Sequence, residues 1–148
     1  MARRTFFSFN YEKDVWRVNQ IRNIPNIIGT AAAGFQDASL WEEAKKKGDA
    51  TIKKMIDDAL VGTSVTVVFV TYGTASRKYI NYEIEQSIQR GNGLVGIQIH
   101  HLKDQNGDTD SPGETPYKLT ANDYKVYKYV DHERLATRIE EAAADAGK

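Results

Sequence analysis

The sequence predicts an α/β protein in which helices cover both faces of a central parallel sheet of about five strands. The run SVTVVFVTY, residues 64–72, is too short for a typical helix and shows no polar alternation, which is typical of a parallel strand buried on both faces. Strand-like and helix-like patterns alternate along the chain, as in α/β folds. A length of 148 residues fits one domain with a three-layer core, and we expect a single domain over 1–148.

The first third of the chain predicts a short buried strand at Arg4–Phe9 and a helix at Tyr11–Asn23. Pro25 would end that helix because proline lacks the amide donor of a continuing turn. A short second strand is expected at Ile27–Ile28. The predicted apolar side of the helix comprises Val15, Trp16, Val18 and Ile21.

Two clearer helices flank the strong strand. Asp49–Leu60 places apolar residues on one side and charged residues on the other, and Gly62 would end it. Ser76–Arg90 is predicted as a helix closed by Gly91. Its buried stripe is expected to comprise Ile80, Ile84 and Ile88. The charge run at 42–47 is interpreted as a solvated helix face.

The last third predicts a buried strand at Gly93–Ile99, a strand at Tyr124–Val130 and a helix at His132–Ala146 that Asp131 caps. Between the two strands, residues 102–123 are predicted to form a long surface loop. Its turn signals are Asn106-Gly107, Pro112-Gly113 and Pro116. A loop of this length is uncommon in a compact domain and is often functional.

The composition excludes several classes of function. The chain holds 20 basic and 20 acidic residues, and this zero net charge argues against a nucleic-acid partner. It has no cysteine, which excludes disulfides, thiolate nucleophiles and cysteine-ligated zinc. No apolar run reaches the roughly 18 residues that span a bilayer, and the N-terminus lacks a signal-peptide core. We therefore expect a cytoplasmic protein that binds neither membrane nor nucleic acid.

Ligands of parallel α/β folds bind beyond the carboxyl ends of the strands. Here these ends are Ser8–Tyr11, Tyr72–Ser76 and the residues after Ile99. No G-x-G-x-x-G motif or P-loop lysine follows a strand, and the bulky Ser8–Tyr11 segment fits neither a phosphate cradle nor an acidic phospho-acceptor cluster. Adjacent His100 and His101 are interpreted as a strand end rather than a metal site, because no third ligand is evident.

Glu83 and Glu85 lie two positions apart in the predicted helix, on opposite flanks of its isoleucine stripe. Each helical residue turns by about 100°, so the two carboxylates point about 200° apart and cannot act together on one bond. Helical spacing places Ser76, Tyr79 and Ser87 beside Glu83, and Lys78, Asn81 and Gln89 beside Glu85. Of the two, geometry favours Glu83 as the site residue, although spacing alone still favours a surface position for it over a site position.

Three motifs occur in order along the first hundred residues. The first strand contains Phe6-Phe7-Ser8-Phe9 and is followed by a charged segment, Phe35-Gln36-Asp37 precedes the second helix, and Ser76-Arg77-Lys78-Tyr79-Ile80-Asn81-Tyr82-Glu83 follows the middle strand. Over residues 2–100 the chain resembles TIR domains, specifically the short TIR-like proteins of the Thoeris antiphage system. It departs from the usual S-x-x-W-x-x-x-E pattern by carrying Tyr79 at the tryptophan position.

The resemblance implies a flavodoxin-like three-layer TIR fold and an enzyme that cleaves the nicotinamide–ribose bond of NAD. It assigns the catalytic carboxylate to Glu83 and implies a cyclic ADP-ribose-type product that activates a separate effector. No cofactor is implied beyond NAD as substrate. The substrate-binding residues expected from the motifs and strand ends are Phe9, Asn10, Tyr11, Asp37, Ser76 and Tyr79. Asp37 could instead only hold its loop.

The resemblance also leaves a second function open. Many TIR domains are adaptors without catalysis, so the chain could be a scaffold or sensor that acts through protein contacts. TIR sites are commonly completed between protomers, which implies a homo-oligomer in the active state. The segment 102–123 has no clear counterpart in the general TIR pattern and could shape the product, bind a partner or do neither.

Overall fold

A computed structural model describes residues 2–32 and 39–148. Within these ranges, five strands form one sheet in which every pairing is parallel, with the order β2-β1-β3-β4-β5. The strands are β1 (Arg3–Ser8), β2 (Ile27–Thr30), β3 (Val65–Val70), β4 (Gly93–Gln98) and β5 (Val126–Lys128). This is the strand order of flavodoxin-like folds and confirms the predicted fold class.

Helices cover both faces of this sheet. They are α1 (Val15–Asn19), α2 (Ser39–Lys46), α3 (Asp49–Leu60), α4 (Lys78–Gln89), α5 (Tyr117–Ala121) and α6 (His132–Asp145). Alternate side chains of β3 point to opposite faces: Val67 and Phe69 belong to the core cluster that contains Leu135 of α6, whereas Val68 belongs to the cluster of Ile84 on α4. The three layers follow from this alternation.

Strand β3 is the centre of the fold, as its sequence predicts. All six of its residues are buried, and it pairs with β1 on one side and β4 on the other. The ring of Phe69 packs edge-to-face on Phe7 of β1, with ring centroids 5.2 Å apart. On β4, a Cβ at Gly93 would lie 2.3 Å from the carbonyl oxygen of Ala142, so only glycine allows α6 to approach this strand so closely.

The first helix is shorter than predicted. In place of a helix over Tyr11–Asn23, the chain leaves β1 through a turn and α1 spans only Val15–Asn19. The side chain of Asn10 closes this turn, because its Oδ1 accepts hydrogen bonds of 3.2 Å from the backbone N–H groups of both Glu12 and Lys13. The expectation that Trp16 packs inward is wrong, since its side chain is 51% exposed.

Helix α4 also begins later than predicted. Residues Thr74–Ser76 form a 3-10 turn, and the extended backbone of Arg77 separates that turn from the helix. The isoleucine stripe is confirmed for Ile80 and Ile84, which are buried. Ile88 is only partly buried.

The prediction that segment 102–123 is a loop throughout is wrong for part of it, because the segment contains α5. Leu119 is fully buried and packs with Ile80 and Ile84 of α4. Pro116 precedes the first turn of α5, where its missing N–H costs no helical hydrogen bond. A single buried leucine in five residues leaves no periodicity that a sequence pattern could reveal.

The rest of this segment is held against the end of the sheet. Buried Arg17 forms a 2.7 Å ion pair with buried Asp14 and donates further hydrogen bonds to the carbonyl oxygens of Leu102 and Asp108, at 2.9 and 3.0 Å. A Cβ at Gly113 would lie 2.0 Å from the carbonyl oxygen of Thr71. The segment therefore packs directly over the carboxyl end of β3.

The carboxyl-terminal helix agrees with its prediction. Asp131 caps α6 by accepting a 2.7 Å hydrogen bond from the backbone N–H of Arg134. Across residues 2–32 and 39–148, no helix combines the length and the apolar character needed to cross a bilayer.

Candidate active site

Glu83 lies in α4 with its carboxyl group between two hydroxyl groups from the end of β1. Ser8 Oγ donates a 2.6 Å hydrogen bond to Oε1, and Tyr11 Oη donates a 2.7 Å hydrogen bond to Oε2. The side chain is 0% exposed, so the surface position that spacing left open is excluded. Glu85 is exposed on the other flank of the helix, as its polar neighbours predict. Its carboxylate pairs with Lys118.

Burial raises the pKa of Glu83 to about 8, and this effect outweighs the hydrogen bonds from Ser8 and Tyr11, which favour the carboxylate. The group is therefore mostly protonated at neutral pH. Burial, together with the adjacent Glu83, also raises the pKa of Tyr11 well above its usual range. A strongly perturbed carboxyl group at the strand ends of a parallel sheet is typical of functional sites.

A cleft of about 380 Å³ opens beyond the carboxyl end of β1, within the size range of small-molecule sites. The structure brings together at this cleft five of the predicted binding residues: Phe9, Asn10, Tyr11, Ser76 and Tyr79. Asp37 lies outside the described residues. Glu83 does not line the cleft, but Tyr11 both lines it and contacts the Glu83 carboxyl group. Tyr11 is thus the link between the open space and the buried acid.

Aromatic rings form one wall of the cleft. The ring of Trp41 lies 4.6 Å from that of Tyr11 and 5.4 Å from that of Tyr79, the latter pair edge-to-face. Trp41 is buried, yet it also lines the cleft. Rings of this kind offer faces and edges to a planar ligand such as a nicotinamide or an adenine.

The hydroxyl of Tyr79 donates a 2.6 Å hydrogen bond to Asp49, the first residue of α3. Burial and this hydrogen bond raise the pKa of Tyr79 to about 12. Asp49 also pairs with Lys78 at 2.8 Å, and the pKa of its carboxyl group falls well below the usual range because of Lys78 first and Tyr79 second. Asp49 therefore fixes the Tyr79 ring at the mouth of the cleft, a role that sequence reasoning missed.

The rim of the cleft carries charges that the sequence patterns did not single out. Glu12 from the turn after β1 pairs with Lys45 of α2 and, at 3.5 Å, with Arg77 before α4. Lys45 belongs to the run interpreted as a solvated helix face, and nothing in that run distinguishes it from its neighbours. Only the fold brings Lys45 and Glu12, 33 positions apart, together.

Ser8 is the other residue whose role sequence reasoning missed. It is the last residue of β1, and its hydroxyl reaches Glu83 across 75 positions of the chain. The available signal was a small polar residue directly after two buried phenylalanines at the end of the strand, at the edge where parallel sheets bind ligands.

A metal site and a second cavity are weaker candidates for the functional site. Among residues 2–32 and 39–148, no three acidic or histidine side chains cluster closely enough to hold a metal ion. His101 instead contacts the carbonyl oxygen of Tyr129 at 2.8 Å through Nε2. A larger cavity of about 660 Å³ lies where β4 begins, at the amino ends of the strands, and contains none of the predicted site residues. Because ligands of parallel sheets bind at the opposite edge, the smaller cleft is the better candidate.

Comparison with known proteins identifies the family of the chain. Residues 6–104 match the family model described as "Thoeris protein ThsB, TIR-like domain", a range that includes Ser8, Tyr11 and Glu83. A protein of Bacillus cereus (strain MSX-D12) named "Putative cyclic ADP-D-ribose synthase ThsB1" is 43% identical over 131 residues. That match covers 87% of the present chain but 66% of the relative, slightly less than two thirds of its length. On these matches, the chain belongs to the family of TIR-like domains of the Thoeris protein ThsB.

Proposed function

We propose that this protein cleaves the bond between nicotinamide and ribose in NAD and forms a cyclic ADP-ribose-type molecule. The observation that carries this proposal is Glu83, a buried carboxyl group held by Ser8 and Tyr11 directly behind an aromatic-walled cleft. The name of the Bacillus cereus relative, a cyclic ADP-D-ribose synthase, supports the same chemistry.

The proposed reaction needs a carboxylate. As the bond between nicotinamide and the ribose C1′ breaks, nicotinamide leaves with the bonding electrons and positive charge develops on the ribose ring. A fixed carboxylate beside that ring stabilises this charge. Glu83 is the candidate, and Ser8 would hold one of its two oxygens in place.

Glu83 must become accessible and ionised to act in this way. With its pKa at about 8 and no exposed surface, the carboxyl group is mostly neutral in the arrangement seen here. Displacement of the Tyr11 ring would open the carboxyl group to the cleft and, by restoring solvation, would lower its pKa. The present arrangement thus corresponds to a resting form.

Cyclisation requires a nitrogen of the adenine, rather than water, to form the new bond to C1′. The enzyme must therefore fold the substrate so that adenine approaches the ribose, and must keep water away. The rings of Trp41 and Tyr79 are placed to hold one of the two bases, which leaves the part of the cleft beside Phe9 for the ribose once the Tyr11 ring has moved.

The same proposal extends to partners and location. We expect protomers to associate in the active state, the product to act on a separate effector protein, and the reaction to occur in the cytoplasm, where NAD is present. NAD is the substrate, and no further cofactor enters the proposed reaction.

The direct experiment incubates the purified chain with NAD and follows nicotinamide and ADP-ribose isomers by mass spectrometry, alone and in extracts of phage-infected cells. We expect equal amounts of nicotinamide and a cyclic product with the mass of NAD less nicotinamide. Nicotinamide accompanied only by linear ADP-ribose would reject the cyclase part and retain the cleavage part. No nicotinamide under either condition would reject both.

A second candidate function, a non-catalytic scaffold, is favoured by one observation: Glu83 has no exposed surface and ties α4 to the end of β1. For a scaffold, Glu83 would be a structural residue. Specific complexes recovered from infected cells, together with no NAD turnover, would support this alternative.

A further inference from the structure

Two basic side chains converge on one carboxylate at the rim of the cleft. Lys45 Nζ contacts Glu12 Oε1, and Arg77 Nη2 lies 3.5 Å from the same oxygen. These donors come from α2 and from the residue before α4, so the fold assembles them around one anion.

The groups are accessible to a ligand. The side chains of Glu12, Lys45 and Arg77 are 33%, 38% and 42% exposed, and all three line the cleft. Hydrogen bonding and charge from Lys45 lower the pKa of Glu12, which is therefore ionised at neutral pH. Among the described residues, the Glu12 side chain forms its ion pairs with rim residues alone, so it can leave without opening the core.

We propose that Lys45 and Arg77 form the binding site for the diphosphate of an ADP-ribose-containing nucleotide, and that Glu12 occupies this site until the ligand displaces it. Arg and Lys are the side chains best suited to phosphate oxygens, and Arg can bind two of them at once. The proposal rests on the proposed function, since it names the subsite for the diphosphate of NAD.

The charges at the rim agree with this assignment. Of the ionisable side chains lining the cleft, the basic ones are Lys45, Arg77 and Lys78 and the acidic ones are Glu12 and Asp49. Asp49 is engaged by Tyr79 and Lys78 on the other side of the cleft. Movement of Glu12 away from the rim would therefore let Arg77 and Lys45 face two phosphate groups, with Lys45 keeping a 3.4 Å contact with exposed Glu42.

The test measures equilibrium binding, so that it does not depend on turnover. ADP-ribose and adenosine are titrated by calorimetry into the wild-type chain and into the variants Arg77→Gln, Lys45→Gln and Glu12→Gln. We expect Arg77→Gln and Lys45→Gln each to weaken ADP-ribose binding about tenfold, the size of a charge-assisted hydrogen bond. Glu12→Gln should tighten it severalfold, because the competing anion is removed.

Adenosine and two distant variants supply the controls. Adenosine has no phosphate, so its affinity should change less than twofold in every variant. Lys54→Gln and Glu43→Gln make the same charge changes at exposed positions outside the cleft and should leave ADP-ribose binding unchanged. Added salt should weaken the binding of ADP-ribose and leave the binding of adenosine unchanged.

Several results would overturn the subsite. These are equal losses for adenosine and ADP-ribose, weaker binding of ADP-ribose to Glu12→Gln, or no detectable ADP-ribose binding even in Glu12→Gln. Failure of the proposed function looks different: NAD is not turned over, but ADP-ribose binding still follows Lys45, Arg77 and Glu12. NAD turnover with ADP-ribose binding indifferent to these residues would instead remove the subsite and retain the function.

Discussion

The hydroxyl of Tyr11 donates a 2.7 Å hydrogen bond to Glu83 Oε2 and accepts one of 3.2 Å from the backbone N–H of Ala32. One phenol thus joins the end of β1, helix α4 and the segment after β2. Because the same side chain lines the cleft, a ligand that displaces its ring would uncover Glu83. Burial of the acid and access to it are therefore controlled by the same residue.

Stability should depend on pH through Glu83. Its folded-state pKa of about 8 lies above its ordinary value of 4.5, so between these values the folded chain binds more protons than the unfolded chain. The free energy of unfolding should therefore fall as pH rises from about 4.5 to about 8, by at most about 1.4 kcal/mol per pH unit. Urea unfolding at several pH values measures this.

Glu83→Gln should remove this dependence, because an amide of the same shape does not titrate. Glu85→Gln is the matched control and should keep the wild-type slope, since Glu85 is exposed. Parallel pH curves for the wild-type chain and Glu83→Gln would show that Glu83 keeps an ordinary pKa.

Tyr11→Phe should raise the pKa of Glu83 further. The Tyr11 hydroxyl favours the charged form of the carboxyl group, and its loss removes roughly 1 kcal/mol of that preference, equivalent to somewhat less than one pH unit. Carbon-13 NMR of the Glu83 side-chain carboxyl group measures the change. Tyr82→Phe, which deletes a hydroxyl bonded to Asp57, should leave the Glu83 titration unaltered. A lower pKa in Tyr11→Phe would contradict this account of the hydrogen bond.

The Tyr79 ring should matter more than its hydroxyl for NAD binding. Calorimetry in a Glu83→Gln background measures NAD affinity without turnover. Tyr79→Ala should weaken NAD binding roughly three- to tenfold, as expected for loss of a ring contact. Tyr79→Phe keeps the ring against Trp41 and should change affinity less than twofold. Tyr82→Ala, on the same helix but outside the cleft, is the control. Equal losses in Tyr79→Phe and Tyr79→Ala would assign the effect to the bond with Asp49.

The segment 102–110 should depend on Arg17. Arg17→Met leaves Asp14 buried without its cation, which typically costs about 3–5 kcal/mol. It also removes the donors to Leu102 and Asp108, so amide hydrogen exchange across 102–110 should accelerate. Arg3→Met breaks a more exposed ion pair with Glu140 and should cost less than about 1 kcal/mol. Similar costs for both variants would contradict the stabilising role of the buried pair.

Much of this fold could be predicted because its central strand and the helix beside it carry clear apolar patterns in their own sequences. The apolar run of β3 and the isoleucine stripe of α4 fixed the sheet centre and the phase of the helix that carries Glu83. The pattern failed at the starts of the two helices near the cleft. A turn closed by Asn10 precedes α1, and the extended backbone of Arg77 separates Ser76 from α4.

Sequence reasoning selected some of the residues at the candidate site but did not predict that Glu83 is buried. Helical phase and the family resemblance both selected Glu83, and the strand-end rule selected Tyr11. The burial of Glu83 depends on contacts with Ser8 and Tyr11 across 75 and 72 positions, which no local pattern contains. The pairing of Lys45 with Glu12 at the rim was hidden for the same reason.

The central claim is that Glu83, and not Glu85, is the catalytic carboxylate. The most direct measurement quantifies nicotinamide and cyclic ADP-ribose-type products by mass spectrometry in phage-infected cells that express the wild-type chain, Glu83→Gln or Glu85→Gln at equal levels. We predict that the wild-type chain and Glu85→Gln accumulate the product and that Glu83→Gln lowers it at least a hundredfold, as expected for loss of the charge-stabilising group. Undiminished product from folded Glu83→Gln would contradict the claim.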